Sequence, residues 1–221
     1  MKVFVAGASR GIGLEFVRQY RADGAAVRAT ARDEAGLARL RALGAEALAL
    51  DIADAESCSR LAWQLDGLSF DVAIVNAGLF GPDAAGVQAP AVADFDAVMH
   101  TNVLGAMRVL EQLAELLAPQ ARVALLSSGM ASIGQRSSPD HWLYRASKAA
   151  LNSVAKDAAL ALAGRASCIA ISPGWVRTDM GGSAAPLSVE QSVGAMRRTI
   201  AGLKPADSGR FLDHDGTPIP W

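Results

Sequence analysis

Tyr144 and Lys148 stand four residues apart in "SPDHWLYRASK", Ser138 to Lys148, and on a helix that spacing puts both side chains on one face. A phenol beside an ammonium can move a proton. Free tyrosine titrates near pH 10, so a useful phenolate fraction at neutral pH requires a shift of about 3 units, or roughly 4 kcal/mol. A lysine ammonium about 4 Å away supplies roughly that amount at an effective dielectric near 20. The pair is therefore adequate for acid/base work if the chain holds it beside a reactant. On an arbitrary helix the same spacing merely decorates a solvated face.

The elements that must position the pair are legible in the hydrophobic pattern. Val3 to Ala6 reads as a strand. Ile12, Phe16, Val17 and Tyr20 then share one helical face, and "AVRATA" from Ala26 is a second strand, which makes a β-α-β unit. The alternation continues with a helix around Leu37, Leu40 and Leu43 closed by Gly44. A strand "EALALD" ends at Asp51, a helix carries Leu61 and Leu65, and "DVAIVN" runs from Asp71 to Asn76. Helical segments are expected from about Val92 to Ala118, then a strand "RVALLSS" ending at Ser128. A helix from about Tyr144 to Ala163 leads into the strand "SCIAIS", a short helix near Val189 to Gly202 and a last strand near "GRFLD". Strands that are continuously apolar are covered by helices on both faces, so the expected class is α/β, a single doubly wound parallel sheet of Rossmann-like type. The Gly/Pro/Ala-rich stretches at 77 to 91 and 173 to 188 read as long loops at the C-terminal ends of strands. In such sheets ligands bind there.

Length and composition narrow the function classes. A chain of 221 residues fits one fairly large domain, 1–221, with a substantial core. A net charge of -1 lacks the basic footprint that nucleic acid requires, and there is no polyacidic tail. Cys58 and Cys168 lie far apart in apolar segments and read as two buried thiols, neither a disulfide framework nor a metal site. The opening "MKVFVAGASRGIG" has too short an apolar run for a signal sequence or a membrane span. A reducing, cytoplasmic setting with no membrane partner is the expectation.

"AGASRGIG" places Gly7, Gly11 and Gly13 between the first strand and first helix. Glycine permits close backbone approach, and the helix N-terminus that follows offers N–H groups and a positive dipole end to a pyrophosphate. The same glycines would also serve an ordinary tight turn. Asp51 after the third strand and Asn76-Ala77-Gly78 after the fourth lie beside this loop, where their polar groups can face an adenine and its ribose. Each is weak alone, since Asp commonly caps helices and Asn-Ala-Gly makes turns. At the end of the second strand Ala31 is followed by Arg32, so the carboxylate that would repel a 2′-phosphate is absent there, provided that Asp33 and Glu34 turn away into the next helix. That favours NADP over NAD. Ser127 and Ser128 are adjacent on a strand, so only one of them can face a substrate.

The ordered set GxxxGxG, Asn76-Ala77-Gly78, Ser127-Ser128, YxxxK and Pro173-Gly174 resembles the short-chain dehydrogenase/reductase family over essentially the whole chain. "SSGMASI", "YRASKAALN", "PGWVRTDMGG" and "GRFLDHDGTPIPW" are similar to its small carbonyl-reductase branch, which includes the C-factor (C-signal) proteins. The resemblance implies that Tyr144 is the general acid/base, that Lys148 lowers its pKa and holds the nicotinamide ribose, and that a serine polarises the carbonyl. Matching "SSGMASI" to the branch selects Ser128, with Ser132 a helper. Asn102 in "HTNVLGA" matches the family asparagine whose helix distortion supports a proton relay to the lysine. The implied cofactor contacts are Gly7, Ser9, Arg10, Gly11, Ile12, Gly13, Arg32, Asp51, Ile52, Asn76, Ala77, Gly78, Tyr144, Lys148, Pro173, Val176 and Thr178. Arg10 is implied to approach the 2′-phosphate, and Val176 and Thr178 the nicotinamide carboxamide. His141, Trp142, Trp175 and Met180 would line an apolar pocket beneath a loop "GQRSSPDH". Two departures from the pattern are Ala6, where the family often has threonine, and Ala131, where the branch often has glycine. The expected activity is hydride transfer between a nicotinamide and a ketone, aldehyde or secondary alcohol, in a homo-oligomer that contacts itself through the helices around 102–118 and 144–163. The alternative is a dinucleotide-binding signalling or regulatory protein with little catalytic role.

Overall fold

A computed structural model describes residues 1–82 and 86–221. The stretch 77–91 expected as a loop is described except for residues 83–85, which lie outside the described residues. The elements run β1 (Lys2–Ala6), α1 (Gly11–Ala22), β2 (Ala26–Ala31), α2 (Glu34–Ala42), β3 (Glu46–Ala49), α3 (Ala55–Ser59), α4 (Leu61–Gln64) and β4 (Phe70–Val75). They continue with α5 (Val92–Met99), α6 (Gly105–Leu113), β5 (Leu117–Leu126), α7 (Trp142–Ala161), β6 (Ala166–Ile171), α8 (Val189–Gly202) and β7 (Phe211–Leu212).

The strands form one seven-stranded sheet in the order β3-β2-β1-β4-β5-β6-β7, with every pairing parallel. Alternation along β1 explains the two layers of helices. Phe4 and Ala6 face one core with Val109 and Leu113 of α6 and Leu151 of α7, while Val3 and Val5 face the other with Phe16 and Val17 of α1 and Met196 of α8. All six residues of β6 are buried, as a strand sandwiched between helices requires. The chain crosses from one side of β1 to the other between β3 and β4, so the sheet switches direction at the β1/β4 boundary. The ligand crevice of such a sheet opens there, outside the C-terminal ends of the strands.

Two features depart most from expectation, besides shifts of one or two residues at several strand ends. The helical run after Val92 ends at Leu113, with a single 3₁₀ turn to Leu116, and β5 begins at Leu117. Pro119 is the reason: the residue before a proline is driven out of helical geometry, and proline itself has no N–H to donate. The other difference is a π-helical turn over His100–Leu104 between α5 and α6, with Asn102 at its centre. Both cysteines are free and buried. Among the described residues no helix is long and apolar enough to cross a membrane.

Candidate active site

The strand ends and the loops after them bring the expected residues together in two linked parts. In the first part, β1 turns into α1 through the glycine loop. Gly7 has φ +80° and a Cβ there would lie 2.5 Å from the Cβ of Ala77, so the residue must be glycine on both counts. A Cβ on Gly13 would lie 2.2 Å from the Gly7 carbonyl, to which Asn76 Nδ2 also donates at 2.5 Å. The glycine loop and the Asn76-Ala77-Gly78 turn are thus one packed unit. Thr30 on β2 adds to it by accepting from Gly7 N at 3.0 Å.

This unit presents the start of α1 without a cap. Arg10 makes no side-chain capping bond and the first turn carries no acidic residue. By contrast α2, α3 and α8 are capped by Asp33, Asp54 and Ser188. A twelve-residue helix whose N–H groups are left to an outside acceptor, at the crevice of a parallel sheet, fits a pyrophosphate. The end of β2 fits a 2′-phosphate as well. Asp33 is spent accepting from Gly36 N at 2.6 Å and Glu34 pairs with Arg41, while Arg32 is exposed. Asp51 lies two residues beyond β3, where its carboxylate accepts from Ala53 N at 3.0 Å, and Ile52 is buried beneath Gly105.

The second part is built on α7. Tyr144 and Lys148 are 7% and 3% exposed, so neither decorates a solvated face. Lys148 Nζ donates to the Leu126 carbonyl at 2.7 Å and lies 5.9 Å from the centroid of the Tyr144 ring. A Cβ on Gly78 would lie 3.2 Å from that Nζ and 3.4 Å from Asn102 Oδ1, so the turn after β4 passes directly over the lysine. Asn102 accepts from Leu79 N at 2.7 Å and donates to the Leu79 carbonyl at 2.8 Å and to Ser147 Oγ at 2.9 Å. The π turn aims one carboxamide at all three partners. Such one-turn bulges recur at functional sites.

The serines separate as strand alternation requires. Ser127 continues the ladder by donating its N–H to the Ile171 carbonyl, and its hydroxyl is turned into the core, donating to Asn152 Oδ1 at 2.6 Å. Ser128, still extended at φ -162°, is turned out of that core contact: its hydroxyl accepts from Met130 N at 3.2 Å and acts on the Tyr144 phenol, drawing its pKa down. Ser132 is not beside Tyr144 by any bond it makes. It is buried and donates to the Pro220 carbonyl at 2.6 Å, tying the loop after β5 to the tail in which Trp221 stacks on Phe211.

One electrostatic expectation is reversed. Burial pushes the Tyr144 phenol up to about 12, with the Ser128 hydroxyl pulling the other way, and burial brings Lys148 down to about 8. The lysine therefore does not depress the tyrosine here. Its ammonium is committed to a backbone carbonyl rather than to the phenol oxygen, and desolvation penalises the charged form of both groups.

The remaining loop follows β6. Ser192 Oγ donates to the Pro173 carbonyl at 2.6 Å, Val176 is buried, and Thr178 Cγ2 would lie 3.6 Å from a Cβ on Gly11. Pro173 to Thr178 thus reach back over the glycine loop. Trp175 and Met180 are exposed at 57% and 50%, and the Trp175 indole donates to the Gly181 carbonyl at 2.8 Å. His141, in left-handed geometry at φ 56°, starts α7 beside Trp142.

A family model described as enoyl-(acyl carrier protein) reductase matches residues 7–206, nearly the whole of this arrangement. The chain belongs to the short-chain dehydrogenase/reductase family. It is 39% identical to the C-signal protein of Myxococcus xanthus over 154 residues, which are 68% of this chain and 92% of that one. Among solved structures it is similar to a short-chain dehydrogenase/reductase from Burkholderia multivorans with bound NADP. The TM-score is 0.90 at 34% identity, covering 100% of this chain and 99% of that one. It is also similar to the carbonyl reductase Sniffer of D. melanogaster, with a TM-score of 0.91 at 28% identity over the same shares. Curated relatives are named dehydrogenases and reductases, so the family is one of oxidoreductases.

Four members of this short-chain dehydrogenase/reductase site were not singled out from sequence. Phe80 packs its ring on Tyr144 with centroids 4.5 Å apart and on His141 at 4.8 Å. Ser147 bridges Asn102 to the Tyr144 carbonyl, to which it donates at 2.8 Å, and its place inside YRASK was the available signal. Ser172 accepts from Gly129 N at 3.1 Å and Gly174 N at 3.2 Å, locking the Ser128 loop to the Pro-Gly loop, and its signal was its position just before Pro173. Arg39 Nε donates to the Ser9 carbonyl at 2.8 Å, a contact between α2 and the glycine loop that no local pattern announces.

Proposed function

We propose that the protein is an NADP-dependent reductase of ketones or aldehydes, able to run in reverse on secondary alcohols, with Tyr144 as the general acid/base. The observation that carries this reading is the buried pairing of Tyr144 with Lys148, Nζ 5.9 Å from the ring centroid, on the same edge of the sheet as the uncapped start of α1. The NADP bound to the Burkholderia protein and the carbonyl reductase named for Drosophila support the cofactor and the substrate class.

Gly7, Gly11, Ile12 and Gly13 receive the pyrophosphate, Ser9, Arg10 and Arg32 the adenosine 2′-phosphate, and Asp51, Ile52, Asn76, Ala77 and Gly78 the adenine side. Pro173, Val176 and Thr178 hold the nicotinamide end, beside Tyr144 and Lys148. The bound nicotinamide supplies the hydride. Ser128 donates a hydrogen bond to the substrate oxygen, and Tyr144, kept protonated by burial, gives that oxygen its proton as negative charge develops. Lys148, its Nζ 5.9 Å from the Tyr144 ring centroid, is the cation nearest to hand when the proton is replaced. Asn102 holds the Leu79 backbone and Ser147 around the lysine, along the path by which its proton is replaced.

Residues 1–221 act as one dinucleotide-binding domain, which the single sheet with its two cores supports. A homo-oligomer contact through α6 and α7 is supported by Met107 and Leu160, 46% and 65% exposed on those helices. The test is NADPH oxidation against a panel of aldehydes and ketones, with Tyr144→Phe as the control. Turnover abolished by that change supports the reading. A wild-type protein that binds NADPH and reduces no carbonyl compound favours instead a dinucleotide-binding regulatory role, to which the likeness to C-signal points.

A further inference from the structure

We propose that Asp179 sets the nucleotide preference of the site by competing with the adenosine 2′-phosphate for Arg10. This rests on the reading above that Arg10 contacts that phosphate. Arg10 is the last residue of the glycine loop, and its guanidinium is paired with the Asp179 carboxylate from the loop after β6. The two side chains are 72% and 78% exposed, so water competes for both and the pair is exchangeable.

The two partners are held very differently. Asp179 sits in a turn fixed on several sides. Gly181 N donates to Thr178 Oγ1 at 3.0 Å and Gly182 N to the Thr178 carbonyl at 2.9 Å. Arg177 clamps the Ala185 and Pro186 carbonyls at 2.9 Å each, and a Cβ on Gly181 would lie 2.0 Å from the Val176 carbonyl, so the turn has no slack. Arg10, by contrast, is tethered only through its own long side chain. The carboxylate is the fixed post and the guanidinium the arm that swings.

Of the other charges at this edge, the carboxylates are already committed and Arg32 is left exposed. Asp33 caps α2, Glu34 pairs with Arg41, and Arg39 donates to the Ser9 carbonyl. Asp179, reaching in from the loop after β6, is the carboxylate that is paired with an arginine read as phosphate-binding. A doubly charged phosphate wins Arg10 only by displacing that carboxylate, whereas the 2′-hydroxyl of NAD has no use for the arginine. Asp179 therefore lowers the preference for NADP and leaves NAD nearly untouched.

Isothermal titration of NADP⁺ and NAD⁺ into wild type, Asp179→Asn, Arg10→Ala and the double variant tests this. Asp179→Asn tightens NADP⁺ binding by about two- to fivefold, the range of an exposed ion pair, and changes NAD⁺ less than about twofold. The gain shrinks at high salt and vanishes in the Arg10→Ala background. An Asp179→Asn protein that binds NADP⁺ no tighter than wild type, tightens both nucleotides equally, or keeps its gain without Arg10 overturns the inference while leaving the reading of Arg10 intact. If Arg10→Ala leaves the ratio of the two affinities unchanged, the reading of Arg10 itself fails, and this inference falls with it.

Discussion

Ser127 and Ser128 are neighbours in the chain with separate partners: Ser127 donates to Asn152 Oδ1 inside the core, while Ser128 Oγ accepts from Met130 N at 3.2 Å and draws the pKa of the Tyr144 phenol down. The two hydroxyls therefore predict different mutant phenotypes. Ser128→Ala removes a donor aimed at the substrate oxygen and lowers kcat by about 10² to 10³, while the loss of its cap on Met130 N costs about 0.5–2 kcal/mol of stability. Ser127→Ala keeps most of its turnover but leaves a buried Asn152 oxygen without its donor, costing about 1–3 kcal/mol of stability. Steady-state kinetics and denaturant unfolding on both variants check the pattern, and equal kinetic losses would refute the assignment.

Tyr144→Phe keeps the ring, and with it the packing on Phe80, so the fold and cofactor affinity are retained. Only the proton donor is lost. Carbonyl reduction falls by about 10² to 10⁴, the contribution typical of a positioned general acid. A variant retaining more than about a tenth of wild-type turnover, in an assay limited by chemistry, rules out Tyr144 as the acid.

Lys148 predicts a pH dependence of stability. Folding lowers its pKa from 10.5 to about 8, so between those values the unfolded chain holds a proton that the folded protein has released. More protons bound by the unfolded state means stability that rises with pH. Cys168, pushed up from 9.0 to about 12, acts in the opposite sense over part of the same window, so the measurement is a difference. Relative to Lys148→Met, the wild type gains about 3 kcal/mol between pH 7.5 and 10.5. Urea unfolding at several pH values reads it directly, and a flat difference would mean that the lysine is not desolvated as its burial indicates.

Much of this molecule was legible in the sequence because its signals are periodic or rigid. Continuous apolar strands gave the parallel sheet, and glycines that tolerate no Cβ at Gly7 and Gly13 marked the loop before α1. The division of labour between Ser127 and Ser128 followed from strand alternation alone. What stayed hidden depends on contacts distant in the chain. Ser132 looked like a neighbour of the reacting groups, yet its partner is Pro220, 88 residues away. Arg39 meets Ser9 across 30 residues and Arg10 meets Asp179 across 169. The direction of the Tyr144 shift was hidden for another reason: spacing brings two groups onto one helix face but says nothing of how deeply that face is buried, and burial decides the sign.

Asn102 carries the last prediction, because one carboxamide serves both faces of the site. Its oxygen accepts from Leu79 N, and its nitrogen donates to the Leu79 carbonyl and to Ser147 Oγ. Asn102→Asp keeps an acceptor for Leu79 N but has no donor for the other two, and it places a carboxylate 1% exposed near the Lys148 ammonium. Asn102→Ala abandons all three partners. Each buried group left unpaired costs about 1–3 kcal/mol, so the alanine variant is the less stable of the two wherever Lys148 is charged. Above pH 8 the ammonium that offsets the new carboxylate is lost, and Asp then loses its advantage. Measuring the order of stabilities at pH 7 and again at pH 9.5 decides the matter: an order that does not narrow with pH means that Asn102 and Lys148 are not electrostatically coupled, and that the asparagine serves only to hold the Leu79 turn.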